Sequence, residues 1–208
     1  MIPPLSPGSA DALLFDLGRV VFDIDFSKAI DCWANHAACP PSDIVERFER
    51  GEAYRHHEIG KISDAAYFDS LRSTLRIRIS DGQFLEGWNA IFAGEMPGIA
   101  PLLERAARHV PLYALSNTNR PHVEYFSKTY AGLLGHFREI YLSSTIGLRK
   151  PDAAAYDHVV KAIGVPASRI LFFDDLAENV EAARARGLHA VQVKSSADVA
   201  HALDALGI

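Results

Sequence analysis

Three short apolar segments of the chain each end at polar side chains that could do chemistry. They end at Asp16, at Ser116 and at the adjacent pair Asp174 and Asp175, and Lys150 lies in a loop between the second and third segments. Because the carboxyl ends of parallel strands meet at one rim of a sheet, we expect these five side chains to converge if the segments are strands. The sequence therefore predicts one site with three carboxylates, one hydroxyl and one ammonium group.

Such a site needs additional positive charge. Carboxylates that lie side by side cannot all stay ionised without it, and Lys150 alone does not balance three of them. Mg²⁺ prefers oxygen ligands and keeps positions for water or substrate oxygens, so we predict Mg²⁺ as the cofactor. With Lys150 it would hold a phosphoryl group, and Ser116 and the main-chain N–H groups near Asn117 would donate to its oxygens. Asp16 is then the candidate nucleophile, which would form an aspartyl-phosphate that water cleaves.

Alternating strand and helix patterns would position these groups. Apolar runs predict strands at 12–15, 110–115, 139–142, 169–173 and 189–193, and helices at 99–108, 121–130, 151–163 and 177–186. Strands that alternate with crossover helices favour a doubly wound parallel sheet. The predicted fold class is therefore α/β, with a Rossmann-like core.

The segment from residue 26 to residue 92 shows helical spacing and no strand pattern. Ser42 and Ser63 are candidate N-caps, and Ser80 with Gln83 fits a capping box. The stretch GEAYRHHEIGKIS between these helices is interpreted as a polar linker. Its paired histidines, His56 and His57, could bind a sugar or a metal, although such pairs more often face solvent. The sequence therefore predicts a helical insert that leaves the sheet after the first strand and later returns to it.

The chain of 208 residues is long enough for a core domain with a smaller insert. We place the core domain at residues 1–24 and 98–208 and the insert at residues 25–97. Tyr54, Glu58 and Trp88 of the insert are candidates for contacts with a substrate, although Trp88 also suits packing between helices.

Composition and charge argue against several classes of partner. With 26 acidic and 21 basic side chains, the formal net charge is −5, which disfavours non-specific binding of nucleic acid. Apolar runs do not reach membrane-spanning length. The segment MIPPLSPGSA lacks the features of a signal peptide and is interpreted as a flexible lead-in. Cys32 and Cys39 are interpreted as reduced thiols. We expect a cytoplasmic monomer or homodimer that acts on a small phosphorylated molecule.

Four motifs carry a family resemblance. FDLGRV, LYALSN, LRKPD and FFDDLAEN resemble, in this order, the four motifs of the haloacid dehalogenase superfamily. The resemblance implies that Asp16 is the nucleophile, that Ser116 donates to the phosphate, that Lys150 neutralises charge and that Asp175 is a metal ligand. It covers nearly the whole chain.

The same resemblance implies further roles. The main-chain carbonyl of Gly18 would be a metal ligand, and Asp174 and Asn179 would support the site. The helical insert resembles the cap domain that closes over substrates in this superfamily. The stretches FDLGRVVFDIDF, HHEIGKISD, LSNTNR and YLSSTIGLRKPDAAAYDHV also resemble bacterial α-D-glucose-1-phosphate phosphatases, which implies a sugar phosphate such as glucose 1-phosphate as substrate.

Gly18 stands where most phosphatases of the superfamily have an acid that protonates the leaving alcohol. Loss of general acid–base assistance, typically worth about 10²–10⁴-fold, matters least for leaving groups that depart readily without a proton. An anomeric hydroxyl is such a group, so we expect a preference for sugar 1-phosphates or similarly activated phosphates. Alternatively, Asp23 or Asp25 supplies the missing proton.

Three other functions stay open at this point. A metal-independent 2-haloacid dehalogenase uses a similar aspartate, serine and lysine and also lacks the second acid, although Asp174 and Asp175 argue against it. A receiver domain also combines acids, a hydroxyl and a lysine, but with its acidic pair on the first strand. A non-catalytic relative could bind a sugar phosphate without cleaving it.

Overall fold

Parallel β-strands form the centre of the computed structural model, which describes residues 5–208. In chain order the strands are β1 (Ala12–Phe15), β2 (Phe22–Ile24), β3 (Phe92–Glu95), β4 (Leu112–Ser116), β5 (Phe137–Leu142), β6 (Ile170–Asp174) and β7 (His189–Gln192). Five of them form a parallel sheet in the order β5-β4-β1-β6-β7, and β2 pairs with β3 in a separate antiparallel sheet. Residues 1–4, the start of the predicted lead-in, lie outside the described residues.

Helices connect the strands and cover both faces of the parallel sheet. They are α1 (Phe26–Ala37), α2 (Pro41–Val45), α3 (Glu52–Glu58), α4 (Asp64–Leu75), α5 (Asp81–Ala90), α6 (Ile99–Ala107), α7 (Arg120–Thr129), α8 (Ala131–Leu134), α9 (Ser143–Ile146), α10 (Ala153–Ile163), α11 (Ala177–Ala185) and α12 (Ser196–Leu206). A short 3-10 helix, Ala167–Arg169, precedes β6. The predicted α/β fold class is confirmed.

The central strand β1 shows why the sheet forms. Leu13 and Phe15 pack into the apolar cluster on one face, and Ala12 and Leu14 pack into the cluster on the other. A strand that is buried on both faces has no polar side to show, so its sequence is a continuous apolar run. The strand order reverses at β1, and the end of β1 is therefore the place where such sheets bind ligands.

Five helices, α1 to α5, lie between β2 and β3 and form the helical insert. They share an apolar cluster that includes Trp33, Phe84 and Trp88. At Gly87 the backbone of α5 lies against α1, because a Cβ there would come within 2.3 Å of Trp33 Nε1. The chain enters and leaves the insert at adjacent points, since the Asp25 N–H donates to the Ile91 carbonyl at 2.8 Å.

Local expectations in the insert are partly wrong. The stretch interpreted as a polar linker contains the helix α3, and His57 faces inward with only 3% of its surface exposed. Ser42 lies inside α2, which begins at Pro41 and has Pro40 at the N-cap. The cap at Ser63 and the capping box of Ser80 and Gln83 are present.

Strands β2 and β3 and helix α12 have no counterpart among the expected elements. The two strands are only three and four residues long, and each has exposed or half-buried positions, so neither produces an apolar run. Among the described residues, we find no helix with the length and apolar character needed to cross a membrane.

Candidate active site

The three predicted carboxylates meet at the carboxyl ends of β1 and β6. Asp16 directly follows β1, Asp174 is the last residue of β6, and Asp175 comes next. The register pairs Phe15 with Phe173, and the Asp16 N–H donates to the Phe173 carbonyl at 2.8 Å. One carboxylate oxygen from each of the three aspartates lies within 4.8 Å of the others. Neighbouring parallel strands thus bring together acids that are about 160 residues apart in sequence.

Lys150 is buried between two of these acids. Its Nζ lies 2.9 Å from Asp16 Oδ1 and 2.7 Å from Asp174 Oδ2, and the side chain is 1% exposed. The Asn117 side-chain amide binds both main-chain polar groups of Lys150. Its Nδ2 donates to the Lys150 carbonyl at 2.8 Å, and its Oδ1 accepts from the Lys150 N–H at 2.9 Å. Burial lowers the pKa of Lys150, but Asp16 and Asp174 more than offset this, so the pKa is raised and the ammonium stays charged.

Asp174 already has partners for both of its carboxylate oxygens. Asn179 Nδ2 lies 2.9 Å from Oδ1 and 3.1 Å from Oδ2, and the Leu176 N–H donates to Oδ1 at 2.9 Å. Lys150 takes the remaining position at Oδ2. Asp174 is therefore suited to fixing Lys150, whereas Asp16 and Asp175 retain oxygens that could bind a cation.

The electrostatics of the site favour a bound cation. Burial raises the pKa of Asp16 to about 7, against the opposing effect of Lys150 and with a further increase from Asp174. Burial and Asp174 also raise the pKa of Asp175. Fully ionised, three carboxylates and one ammonium leave two negative charges without a counter-charge. A donor set made only of oxygens fits Mg²⁺, and Gly18 lines the same cavity as Asp16 and Asp175.

Ser116 is the last residue of β4 and is 5% exposed. It lines a small pocket of about 110 Å³ together with Asp16 and several apolar side chains. A larger cavity of about 510 Å³ includes Asp16, Lys150 and Asp175. The structure therefore places every predicted site residue at one rim of the sheet.

The insert supplies the opposite wall of the larger cavity. Tyr54 and Glu58 line it, as the sequence suggests, and Arg50 and Arg55 line it as well. Trp88 instead packs between helices and is fully buried.

A salt bridge that sequence reasoning missed joins the insert to the core. Arg149 Nη2 lies 2.9 Å from Glu58 Oε2, and the Glu58 side chain is 6% exposed. Burial raises the pKa of Glu58, whereas Arg149 lowers it. Ser143 Oγ adds a second link by donating to the Glu58 carbonyl at 2.6 Å. Only the position of Arg149 beside Lys150 in LRKPD could have suggested this role.

A buried network links the insert to α7 and was also missed. Trp88 Nε1 donates to Asn119 Oδ1 at 3.1 Å, and His122 Nε2 lies 2.9 Å from the Trp88 carbonyl. The Asn119 amide nitrogen lies 3.0 Å from His122 Nδ1. Burial lowers the pKa of His122 to about 3, so the ring is neutral. No local pattern predicts this network, because its members are up to 34 residues apart.

The sequence of the chain matches a protein-family model. The model of the haloacid dehalogenase-like hydrolases matches residues 10–187, which include the three strand ends and the whole insert.

Individual proteins that are similar to this chain share a low sequence identity with it. D-ribitol-5-phosphate phosphatase from Bacteroides thetaiotaomicron is 25% identical over 195 residues, which are 89% of this chain and 93% of that protein. Enolase-phosphatase E1 from Enterobacter sp. is 27% identical over 167 residues, 77% of this chain and 72% of the relative. The crystal structure of a HAD family enzyme from Bacteroides thetaiotaomicron, a magnesium complex, has a TM-score of 0.81 and 25% identity, and the match covers 93% of this chain and 98% of that one.

Proposed function

Because this chain belongs to the haloacid dehalogenase-like hydrolase family, we propose that it is a Mg²⁺-dependent phosphatase of small phosphomonoesters. The observation that carries the proposal is the convergence of Asp16, Asp174 and Asp175 within 4.8 Å around the buried ammonium of Lys150. Two relatives with phosphatase names and a related enzyme crystallised with magnesium support it.

Asp16 is the proposed nucleophile. Its Oδ1 accepts from the Leu17 N–H at 2.7 Å and contacts Lys150, which leaves Oδ2 to attack phosphorus. The new bond joins that oxygen to phosphorus while the ester P–O bond breaks; its electron pair leaves on the alkoxide, which takes a proton from water to become the alcohol. Water then attacks the phosphorus of the aspartyl-phosphate, which releases inorganic phosphate and restores Asp16.

The other groups stabilise the phosphoryl oxygens. The Lys150 ammonium, the Ser116 hydroxyl and main-chain N–H groups near Asn117 would bind them and orient the ester for in-line attack. Asp16, Asp175 and the Gly18 carbonyl would hold Mg²⁺, which when bound supplies the positive charge that the carboxylates lack. Asp174 and Asn179 would keep Lys150 in place.

The leaving group is the basis for proposing a sugar 1-phosphate. Gly18 has no side chain that could protonate the departing oxygen, so substrates whose leaving group is a weak base are favoured. A cavity of about 510 Å³ is within the usual size range of small-molecule sites. The relative named D-ribitol-5-phosphate phosphatase supports a small phosphorylated polyhydroxy compound as the substrate class, and the leaving-group argument alone favours the 1-phosphate. Glucose 1-phosphate therefore remains our first candidate substrate.

The insert, residues 25–97, is the proposed cap domain. Tyr54 and Glu58 face the nucleophile across the cavity and would contact the part of the substrate beyond the phosphate. The salt bridge from Arg149 to Glu58 would hold this wall closed and exclude bulk water.

A phosphate-release screen over sugar 1-phosphates and 6-phosphates, with Mg²⁺ or with EDTA, tests the proposal. We expect release from sugar 1-phosphates only with Mg²⁺, and a loss of about 10⁴-fold or more in Asp16→Asn. The matched control is Asp31→Asn, which changes an exposed aspartate of α1 and should keep full activity. Halide release from 2-haloacids in EDTA, or no phosphate release from any ester, would overturn the proposal.

We further propose that the enzyme is a cytoplasmic monomer or homodimer. Light scattering on the purified protein gives the mass in solution, and cell fractionation gives the location. A larger assembly or a membrane-associated fraction would contradict this part of the proposal alone.

A further inference from the structure

A second group of metal-ligating side chains lies in the insert, away from the proposed active site. We propose that Cys32, His36 and Glu86 form a binding site for a thiophilic divalent cation such as Zn²⁺. Their ligand atoms, a thiol sulfur, an imidazole nitrogen and a carboxylate oxygen, all lie within 4.8 Å of one another. This site would join α1 to α5 and is independent of the phosphatase chemistry.

The donor types distinguish this site from the aspartate cluster. Cys32 and His36 are four residues apart on α1, so they share one face of the helix. Glu86 reaches them from α5, with Oε2 3.0 Å from His36 Nε2. Sulfur, imidazole and carboxylate are the three ligand types that Zn²⁺ accepts in proteins. Mg²⁺, in contrast, selects oxygen ligands.

The packing of α1 on α5 fixes the distance between the ligands. Cys32 and Glu86 immediately precede Trp33 and Gly87, where the Trp33 indole packs so tightly on the α5 backbone that a Cβ at Gly87 would lie 2.3 Å from Nε1. Trp33 Nε1 also donates to the Phe84 carbonyl of α5 at 2.9 Å. The ligand-bearing backbones are therefore held by buried contacts that a metal ion does not have to create.

Neighbouring groups can support the bound state. Gln83 Nε2 lies 3.2 Å from His36 Nδ1 and keeps the ring plane in place. When Nε2 binds a cation, Nδ1 carries the proton and its hydrogen bond passes to water, because the Gln83 oxygen stays with Ser80 in the capping box. The side chains of His36 and Glu86 are 27% and 64% exposed, so water can complete a tetrahedral set.

Titration of the reduced, purified protein with Cd²⁺ in excess Mg²⁺ tests the site. Cadmium bound to a thiolate absorbs in the ultraviolet, whereas cadmium on the oxygen ligands of the active site does not produce this band. We expect the band with one equivalent of cadmium in the wild type and in Cys39→Ser, the matched control for the second thiol of the insert. We expect no band in Cys32→Ser and binding weakened by about tenfold or more in His36→Gln.

Thermal unfolding supplies a second measurement. Zn²⁺ should raise the Tm of the wild type and of Asp175→Asn, because a ligand that binds only the folded state stabilises it. In excess Mg²⁺, which competes for the aspartate cluster, Zn²⁺ should leave the Tm of His36→Gln nearly unchanged. The replaced side chain is partly exposed, so this variant should still fold. Absence of the cadmium band in the wild type, or its survival in Cys32→Ser, would overturn the proposal. Neither result bears on phosphate release.

Discussion

Protonation of His122 should make the protein sensitive to mild acid. The ring donates from Nε2 to the Trp88 carbonyl at 2.9 Å and accepts at Nδ1 from the Asn119 amide at 3.0 Å. Asn119 cannot rotate its amide to adapt, because its Oδ1 already accepts from Trp88 Nε1 and from the His122 N–H. A second proton on the ring would therefore face an N–H group in a buried place, which is why the neutral form is favoured.

The size of the effect follows from the two pKa values of His122. Burial lowers the pKa from 6.5 to about 3 in the folded protein. The unfolded chain then binds a proton that the folded chain does not, so the free energy of unfolding falls as the pH drops below about 6.5. Between pH 7 and pH 5 this one group should remove about 2 kcal/mol of stability.

Urea unfolding in EDTA at several pH values between 5 and 7, followed by tryptophan fluorescence, measures this loss. His122→Gln removes the titrating ring and keeps a donor for the Trp88 carbonyl, so its stability should fall less with acid than that of the wild type, by about 2 kcal/mol. The matched control, His201→Gln on α12, replaces an exposed histidine and should follow the wild type. Equal losses for the wild type and His122→Gln would refute the reasoning.

Three further substitutions test other parts of the structure. Gly18→Asp supplies the missing acid and should raise turnover of glucose 6-phosphate by roughly 10²-fold in a phosphate-release assay. The Tm should change little, because a Cβ at this position meets its nearest neighbour only at 3.6 Å. An unchanged preference for glucose 1-phosphate would contradict this. Asp174→Asn leaves Lys150 one buried counter-charge and should lower the free energy of unfolding in urea by about 3 kcal/mol; wild-type stability would contradict it. Gly87→Ala places a methyl group 2.3 Å from the Trp33 indole and should lower the free energy of unfolding by about 2 kcal/mol. A Tm equal to that of the wild type would show instead that α1 and α5 can move apart without cost.

The core of the fold could be predicted from sequence because the three central strands β1, β4 and β6 are short apolar runs that end at or beside a polar residue. The expected strand at 12–15 coincides with β1, and the expected helix that stops at Gly164 is α10. Its glycine adopts the left-handed conformation that ends helices. Boundaries elsewhere shift by one or two residues, as at β4 and β5, where packing rather than local preference decides the end.

The insert and its contacts were harder to predict. Helix α3 is rich in charged and polar residues, so the buried side chains of His57 and Glu58 do not stand out in its sequence. Their burial depends on partners that come from distant segments, such as Arg149 and Tyr67. The convergence of Asp16 with Asp175, in contrast, follows from the general geometry of parallel sheets, and no knowledge of the insert is needed to foresee it.

The hydrogen bond between Asp25 and Ile91 has a consequence for engineering. The chain enters the insert at Asp25 and returns from it at Ile91, so β2 and β3 lie side by side. A tight hairpin between Ile24 and Phe92 would therefore connect the two strands directly. Replacement of the whole helical insert by another segment at this point would not re-route any strand of the large sheet.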